Sequence, residues 1–309
     1  MAKLGSTHKK VHISPNFDKG TAIRTHDPIM EELEPPTVIM AALSALSPLH
    51  LSDLSHSIFS DIHHRRRRLT FILSSPTLFS LTLRHLNSLS LSHKSLLIAR
   101  FLLSALRRLC HPFQPPAKSL PQHPSTAAIT PRDLDAAVLL LLLCEVRQHN
   151  PAALETPLPK WRAALCRIYS DSILSISGII SGGGAVMVPY VETVARCWKF
   201  VGFVGSCGGK GKREVAASPV AVVELPSVAA AAAVECVICK EEMGEGRDAC
   251  QLPCEHLFHW LCILPWLRKR NTCPCCRFQL PTDDVFAEIQ RLWEILLKLG
   301  STITTSDGD

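Results

Sequence analysis

The spacing of cysteine and histidine over residues 236–276 constrains this chain more than any other feature. It reads Cys236-x2-Cys239-x14-Cys254-x-His256-x2-His259-x2-Cys262-x10-Cys273-x2-Cys276. Eight nitrogen and sulfur donors fill two tetrahedral sites and leave no position open for water, so both sites are structural. A C-x2-C pair lets both thiolates reach one ion from a tight turn. The single residue between Cys254 and His256 does the same from an extended segment. His259 and Cys262 sit three apart, on one face of a starting helix. Metal is needed on energetic grounds. A stretch of about 45 residues cannot bury enough apolar surface to fold alone. Structural zinc supplies roughly 10–16 kcal/mol in small peptides. Two Zn2+ are therefore expected, and the metal-free region should be unfolded.

The chain has 13 cysteines, which raises the alternative of a secreted, disulfide-stapled protein. The first residues show no charged segment followed by an apolar one. The crowding of cysteines with interleaved histidines is metal chemistry and fits a reducing compartment. The net charge of +6 over 309 residues is too small to imply nucleic-acid binding by the whole chain. No segment reaches the ~20 apolar residues that span a bilayer. The longest apolar run, Ala136–Cys144, reads as a buried core helix. Val215–Val234 is interrupted by Pro219, Glu224 and Pro226 and reads as a linker.

Residues 1–38 lack a clear period and are rich in proline, which predicts a disordered leader; Met30 and Met40 are alternative starts. From 39 to 205 the period is helical. Ser47-Pro48, Ser75-Pro76 and Thr130-Pro131 each place a capping residue before a proline at the first helical position. Helices are predicted at 48–73, 76–90, 93–110, 131–149, 159–176 and 188–203, with breaks at Pro112–Pro124 and Gly178–Gly184. Strand-like alternation is absent, so this domain should be all-α. A 206–234 Ala/Val/Pro linker follows, then a small α+β zinc module at 235–280. An amphipathic helix at 281–299 and a disordered tail at 300–309 end the chain. The fold class is mainly α.

The ligand string, with Leu252-Pro253 before the third ligand and the block His259-Trp260-Leu261-Cys262-Ile263-Leu264-Pro265-Trp266-Leu267, resembles a RING-H2 finger. The order differs from a PHD finger, which places four cysteines before its histidine, and from a one-ion C2H2 finger. The resemblance implies cross-braced ligation: Cys236, Cys239, His259 and Cys262 on one ion, and Cys254, His256, Cys273 and Cys276 on the other. It also implies a RING-type E3 ubiquitin ligase. Ile238, Trp266 and Pro274 match the apolar platform for a ubiquitin-conjugating enzyme (E2), as befits a transient interface with few anchors. Arg277 matches the linchpin that holds the E2~ubiquitin thioester in a reactive pose. No nucleophile of the chain's own is implied, so Cys275 is expected to be an outward-facing thiol and Cys250 a loop thiol. The competing reading is a zinc-stabilised scaffold or adaptor without catalysis. An inactive adaptor has no need of Ile238, Trp266, Pro274 and Arg277 together.

The segment 39–106 is similar to plant RING-H2 ligases of shoot gravitropism that associate with amyloplasts. This implies peripheral attachment to the cytosolic face of a plastid; residues 1–38 do not fit it. The run His63-His64-Arg65-Arg66-Arg67-Arg68 reads as a solvated helix face, with a nuclear signal or an anionic-surface patch as the alternatives. Histidines outside the finger read as surface residues. In the last helix Val285, Ile289, Leu292, Leu296 and Leu299 form an apolar stripe. Two heptads are too few for a stable coiled coil alone, so the stripe should pack within the chain, on the finger, the alternative being a RING homodimer. Substrate protein and chain linkage are not encoded in any motif.

Overall fold

A computed structural model describes residues 34–113, 129–177, 184–206, 214–230, 234–243 and 249–304. These all lie in one unit, Glu34–Asp309. The expected breaks at 114–124 and 178–183, most of the glycine-rich 205–211 segment, residues 1–33 of the leader and the last five residues lie outside the described residues.

Prolines and hydroxyl side chains start the helices. The bundle comprises α1 (Pro35–Ser44), α2 (Pro48–Ser74), α3 (Pro76–Ser88), α4 (Leu91–Cys110), α5 (Pro131–His149), α6 (Leu158–Ser177) and α7 (Gly184–Ser206). Ser47 accepts the amide of His50 at 3.3 Å, Ser75 that of Leu78 at 3.3 Å and Thr130 that of Asp133 at 3.1 Å. Each removes one orphan donor from a first turn. Ser90 does the same for His93 ahead of α4, without a proline to announce it. Helix α1 was not predicted. Its apolar residues Val38, Ile39, Ala42 and Leu43 are buried, and Pro35 and Pro36 occupy its first turn rather than a disordered leader.

The core of the bundle is supplied by α4, which buries Leu97, Ile98, Phe101, Leu102, Leu106 and Leu109. Its principal partner comes from the far end of the chain. Helix α10 (Val285–Thr304) packs against α4 and α1. Val285, Ile289, Leu292, Trp293 and Leu296 join the same apolar core. Trp293 stacks on Trp198 of α7 with ring centroids 4.1 Å apart. The stripe thus packs within the chain, on the helical bundle rather than on the finger. The helix also runs on through Gly300. A Cβ there would meet the Ala41 Cβ at 3.4 Å, an ordinary van der Waals contact, so this turn of α10 packs directly on α1.

The arginine run faces inward more than expected. Arg65 pairs with Asp61 at 2.5 Å and lies 3.9 Å over the Phe101 ring, while Arg108 reaches Asp61 from α4 at 3.1 Å. Arg68 forks onto Asp135 of α5 at 2.8 and 2.5 Å. Of the four arginines only Arg67 is exposed. His85, read as a surface residue, is tucked 3.6 Å from Asp133. The Asp135 carboxylate on α5 and the Phe101 ring on α4 turn a charge run into interhelical contacts. No single helix among the described residues is long and apolar enough to cross a membrane.

A separate small core lies around Phe258, Leu252, Ile263, Leu267 and Leu280. It comprises α8 (Pro219–Val223), β1 (Ser227–Val228), β2 (Ala249–Gln251), β3 (Leu257–His259) and α9 (Trp260–Leu267). The antiparallel sheet has order β1-β2-β3. Residues 214–230, read as linker, are built into this module. Val215, Ala216, Ala217 and Ser218 bond the backbone or side chains of Asn271, Thr282, Leu267 and Pro281. β1 pairs with β2. Ala217, Leu225 and Ala230 complete the core.

Candidate metal centre

Two turns with the same construction set the first and last ligand pairs. In the first, the amide of Lys240 donates to Cys236 O at 2.8 Å, and that of Cys236 to Glu241 O at 2.9 Å. In the second, Arg277 donates to Cys273 O at 3.0 Å, and Cys273 to Phe278 O at 2.8 Å. Each turn is closed by an isolated antiparallel bridge, Glu235 with Glu242 and Thr272 with Gln279. The residue after each second cysteine is left-handed, with φ of 66° at Lys240 and 61° at Arg277. Neither is glycine. The turn bonds and the paired cysteines hold a conformation that an L-residue seldom adopts alone.

Cys254 and His256 flank the turn of the β2–β3 hairpin. Glu255 between them has φ 66°, and its amide donates to Leu252 O at 2.8 Å. The pair therefore sits on a tight turn, not on the extended segment expected. His259 ends β3 and is the N-cap residue of α9, while Cys262 lies in the first turn of that helix. A strand-to-helix junction thus delivers two donors three residues apart.

The eight side chains gather in two groups. Cys236, Cys239, His259 and Cys262 form one, and Cys254, His256, Cys273 and Cys276 the other; within each group the ligand atoms lie within 4.8 Å of one another. The chain order alternates between the groups. Both are Cys3His sets. With Zn–S near 2.3 Å and Zn–N near 2.0–2.1 Å, a tetrahedron puts sulfur and nitrogen about 3.5 Å apart. The observed Sγ···Nδ1 separations are 3.3 Å for Cys239–His259, 3.4 Å for Cys254–His256 and 4.0 Å for Cys262–His259. The donor chemistry and spacing fit two Zn2+.

Burial pushes the Cys254 and Cys262 thiols up to about 12 and about 11. At Cys236 burial acts the same way, but amide donors from Cys239, His259 and Ile238 outweigh it and bring the thiol down to about 6. Cys250, expected in a loop, lies on β2 opposite Phe258 and is fully buried. Burial pushes its thiol up to about 12. Cys275 points outward, as expected.

Ile238 projects between the first ligand pair at 37% exposure. Trp266 is held half-buried on α9. Its indole N–H donates to Thr272 O at 2.7 Å, and the Arg270 guanidinium lies 5.0 Å over its ring. Pro274 is half-buried in the second turn, and Arg277 beside it is exposed. Sequence reasoning passed over Leu261. It is 87% exposed on α9, and an apolar residue next to a ligand at a solvent-facing helix position was the available signal.

A family model described as "Ring finger domain" matches residues 234–277. The Arabidopsis thaliana protein named "E3 ubiquitin-protein ligase SGR9, amyloplastic" is 54% identical over 283 residues, 86% of this chain and 97% of that protein. The chain belongs to the RING-H2 E3 ubiquitin-protein ligases. The ligase RNF181 of Xenopus laevis is 54% identical over 73 residues, 22% of this chain and 47% of that protein, and the Drosophila melanogaster RNF181 homolog is 52% identical over 59 residues. No solved structure matches the chain. The broad match therefore reaches the helical bundle, whereas the animal ligases share only a fifth of the chain. The protein is a RING-type ubiquitin transferase whose module holds two Zn2+.

Proposed function

We propose that the zinc module docks an E2~ubiquitin thioester and promotes direct transfer of ubiquitin to a substrate lysine. Cys236, Cys239, His259 and Cys262 hold one Zn2+, and Cys254, His256, Cys273 and Cys276 hold the other. The ions fix the two turns and the hairpin; the chemistry is done by positioning, not by a nucleophile of this chain. Ile238, Trp266 and Pro274 form the E2 platform. The observation that carries this reading is Trp266, anchored at its N–H and over its face yet half-exposed. An aromatic fixed in one orientation loses little entropy when it docks. Arg277 serves as linchpin. It is exposed and has no ion-pair partner among the described residues, so its fork of donors is free for the E2 and ubiquitin together.

The test is autoubiquitination with E1, a panel of E2 enzymes and ATP. Wild type gives a ladder; Ile238→Ala, Arg277→Gly and Cys236→Ser do not. Equal ladders from all four overturn the proposal. Glycine is the sharper change at position 277, because it removes the guanidinium and keeps the left-handed backbone at ease.

The name of the Arabidopsis relative supports a location at the plastid; the proposal places the ligase on the cytosolic face. Untagged protein in an intact plastid fraction, digested by added protease, is the expected result. The apolar stripe of α10 is already buried in its own chain, so the ligase works without pairing two fingers through that helix.

A further inference from the structure

A cleft of about 620 Å³ opens between α3 and the first turn of α5, over the C-terminal half of α2. One face of α3 forms its wall: Leu78, Leu81, Thr82, His85 and Ser88 follow the three-and-four spacing of a single helical stripe. Arg132 and Asp135 come from α5, Arg68 from α2 and Arg84 from α3.

The charges in this cleft are unbalanced. Asp135 is occupied by the fork of Arg68. Arg84 and Arg132 are exposed and form no ion pair among the described residues. Residues 62–132 contain no aspartate or glutamate, so neither α3 nor the segment leading into α5 supplies a carboxylate to them. His85 adds a buried Nε2 with no hydrogen-bond partner, at 3.6 Å from Asp133 Oδ1 and beyond hydrogen-bond reach. Two unpaired guanidinium forks, an imidazole nitrogen without a hydrogen bond and Thr82 thus line one concave site, while the Ser88 hydroxyl at its edge donates to His85 O at 2.7 Å. The two guanidinium forks have no carboxylate partner among the described residues, and planar forks offered from separate helices fit a tetrahedral oxyanion.

The cleft is larger than a phosphate group. Its remaining wall is Leu78 and Leu81, the latter 54% exposed. The space and the apolar wall suit residues flanking a phosphorylated side chain in an extended segment. The arginines line a concave cleft rather than a flat face, which favours a protein segment over a membrane surface.

We propose that this cleft binds a phosphorylated serine or threonine in a protein segment, with Arg84 and Arg132 gripping the phosphate and Leu78 and Leu81 taking a neighbouring apolar side chain. The proposal deepens the ligase reading, since it gives the helical bundle the substrate-holding task that the zinc module does not perform.

The experiment uses the full chain loaded with zinc. The probe is a fluorescein-labelled degenerate peptide library with phosphoserine at a fixed central position, set beside the same library with serine there. Binding is read by fluorescence anisotropy. The phosphorylated library should bind about tenfold or more tightly, and inorganic phosphate should compete with it. The double variant R84A/R132A should remove that preference. Both residues are exposed, so packing is untouched, and the thermal midpoint checks it. Autoubiquitination, measured in parallel, should be the same in wild type and double variant. No preference for the phosphorylated library, or a preference that survives R84A/R132A, overturns the proposal. So does binding to phosphatidylcholine vesicles containing phosphatidic acid without binding to the peptides. Loss of autoubiquitination in the wild type would instead strike the proposed function and leave the peptide result standing.

Discussion

Removing residues 285–309 deletes α10, and the damage should appear in the helical bundle rather than in the zinc module next to it. Val285, Ile289, Leu292, Trp293 and Leu296 are all buried in the bundle core. At about 1.5–3 kcal/mol for each buried side chain, α10 contributes roughly 8–15 kcal/mol of apolar burial. That equals the whole net stability of an ordinary domain, about 5–15 kcal/mol. The truncated chain should therefore lose cooperative unfolding in its α-helical signal. A graded form of the same test is Leu292→Ala. Leu292 is fully buried, and the cavity should lower stability by about 2–5 kcal/mol, read as a shift of the urea midpoint at unchanged slope. Both are followed by far-UV circular dichroism, with bound zinc measured in the same samples and expected to remain at two per chain. A truncated chain that unfolds at the wild-type midpoint would refute the reasoning, because the stripe would then be a passive tail.

Four further outcomes are expected. Chelating zinc should unfold residues 214–282 and leave the bundle intact; Trp260 and Trp266 fluorescence should change while most helical signal survives. Zinc affinity should fall as pH falls, since the ions must displace protons from Cys254 and Cys262, held as thiols by burial up to about 12 and about 11 in the metal-free chain; a zinc-release titration checks the sign. Mild alkylation of the folded, zinc-loaded chain should mark exposed Cys275 and spare Cys110, Cys197 and Cys250, whose thiols burial pushes up to about 12; peptide mass mapping reads it. Asp135→Ala should destabilise the bundle by about 1–3 kcal/mol, because Asp135 is buried and is, among the described residues, the sole carboxylate on the Arg68 fork.

The zinc groups were legible because ligand spacing is a local code. Two donors separated by two residues must come from a turn, and eight of them in one short stretch leave few arrangements. Helix starts were legible for the same reason: Ser47, Ser75 and Thr130 sit next to the prolines they introduce. Failures arose wherever a segment's partner was distant in sequence. Residues 214–230 look like a linker because β1 has only two residues, and its pairing with β2 carries no local signal. Gly300 looks like a helix stop, yet α10 runs through it where it faces Ala41 of α1. Arg65 and Arg68 look solvated until Phe101 arrives from α4 and Asp135 from α5. The left-handed turn at Glu255 escaped because a single residue between two ligands suits either an extended or a turned backbone.

Helix α10 belongs to two neighbourhoods at once. Its apolar stripe is spent in the bundle, while its N-terminus is tied to the zinc module. Asp284 Oδ1 accepts the Ala287 amide at 2.9 Å, and buried Glu288 accepts the Thr282 amide at 3.0 Å as well as the Arg291 fork at 2.8 and 2.7 Å. Thr282 in turn donates to Ala216 O at 2.8 Å, and Gln279 reaches Glu294 at 3.2 Å. The Arg277 turn therefore lies two residues from a side chain bonded to α10, and α10 is wedged between α1 and α4. A ligase that works by positioning needs its E2 platform held at a fixed distance from whatever grips the substrate. Breaking the Glu288 link alone should then alter ubiquitination without removing zinc or unfolding the bundle. Glu288→Gln removes the charge, keeps the shape and leaves Arg291 with a weaker partner. Its autoubiquitination pattern should change while zinc content and the thermal midpoint of the zinc module stay the same. An unchanged pattern would mean that the two halves act independently despite their shared helix.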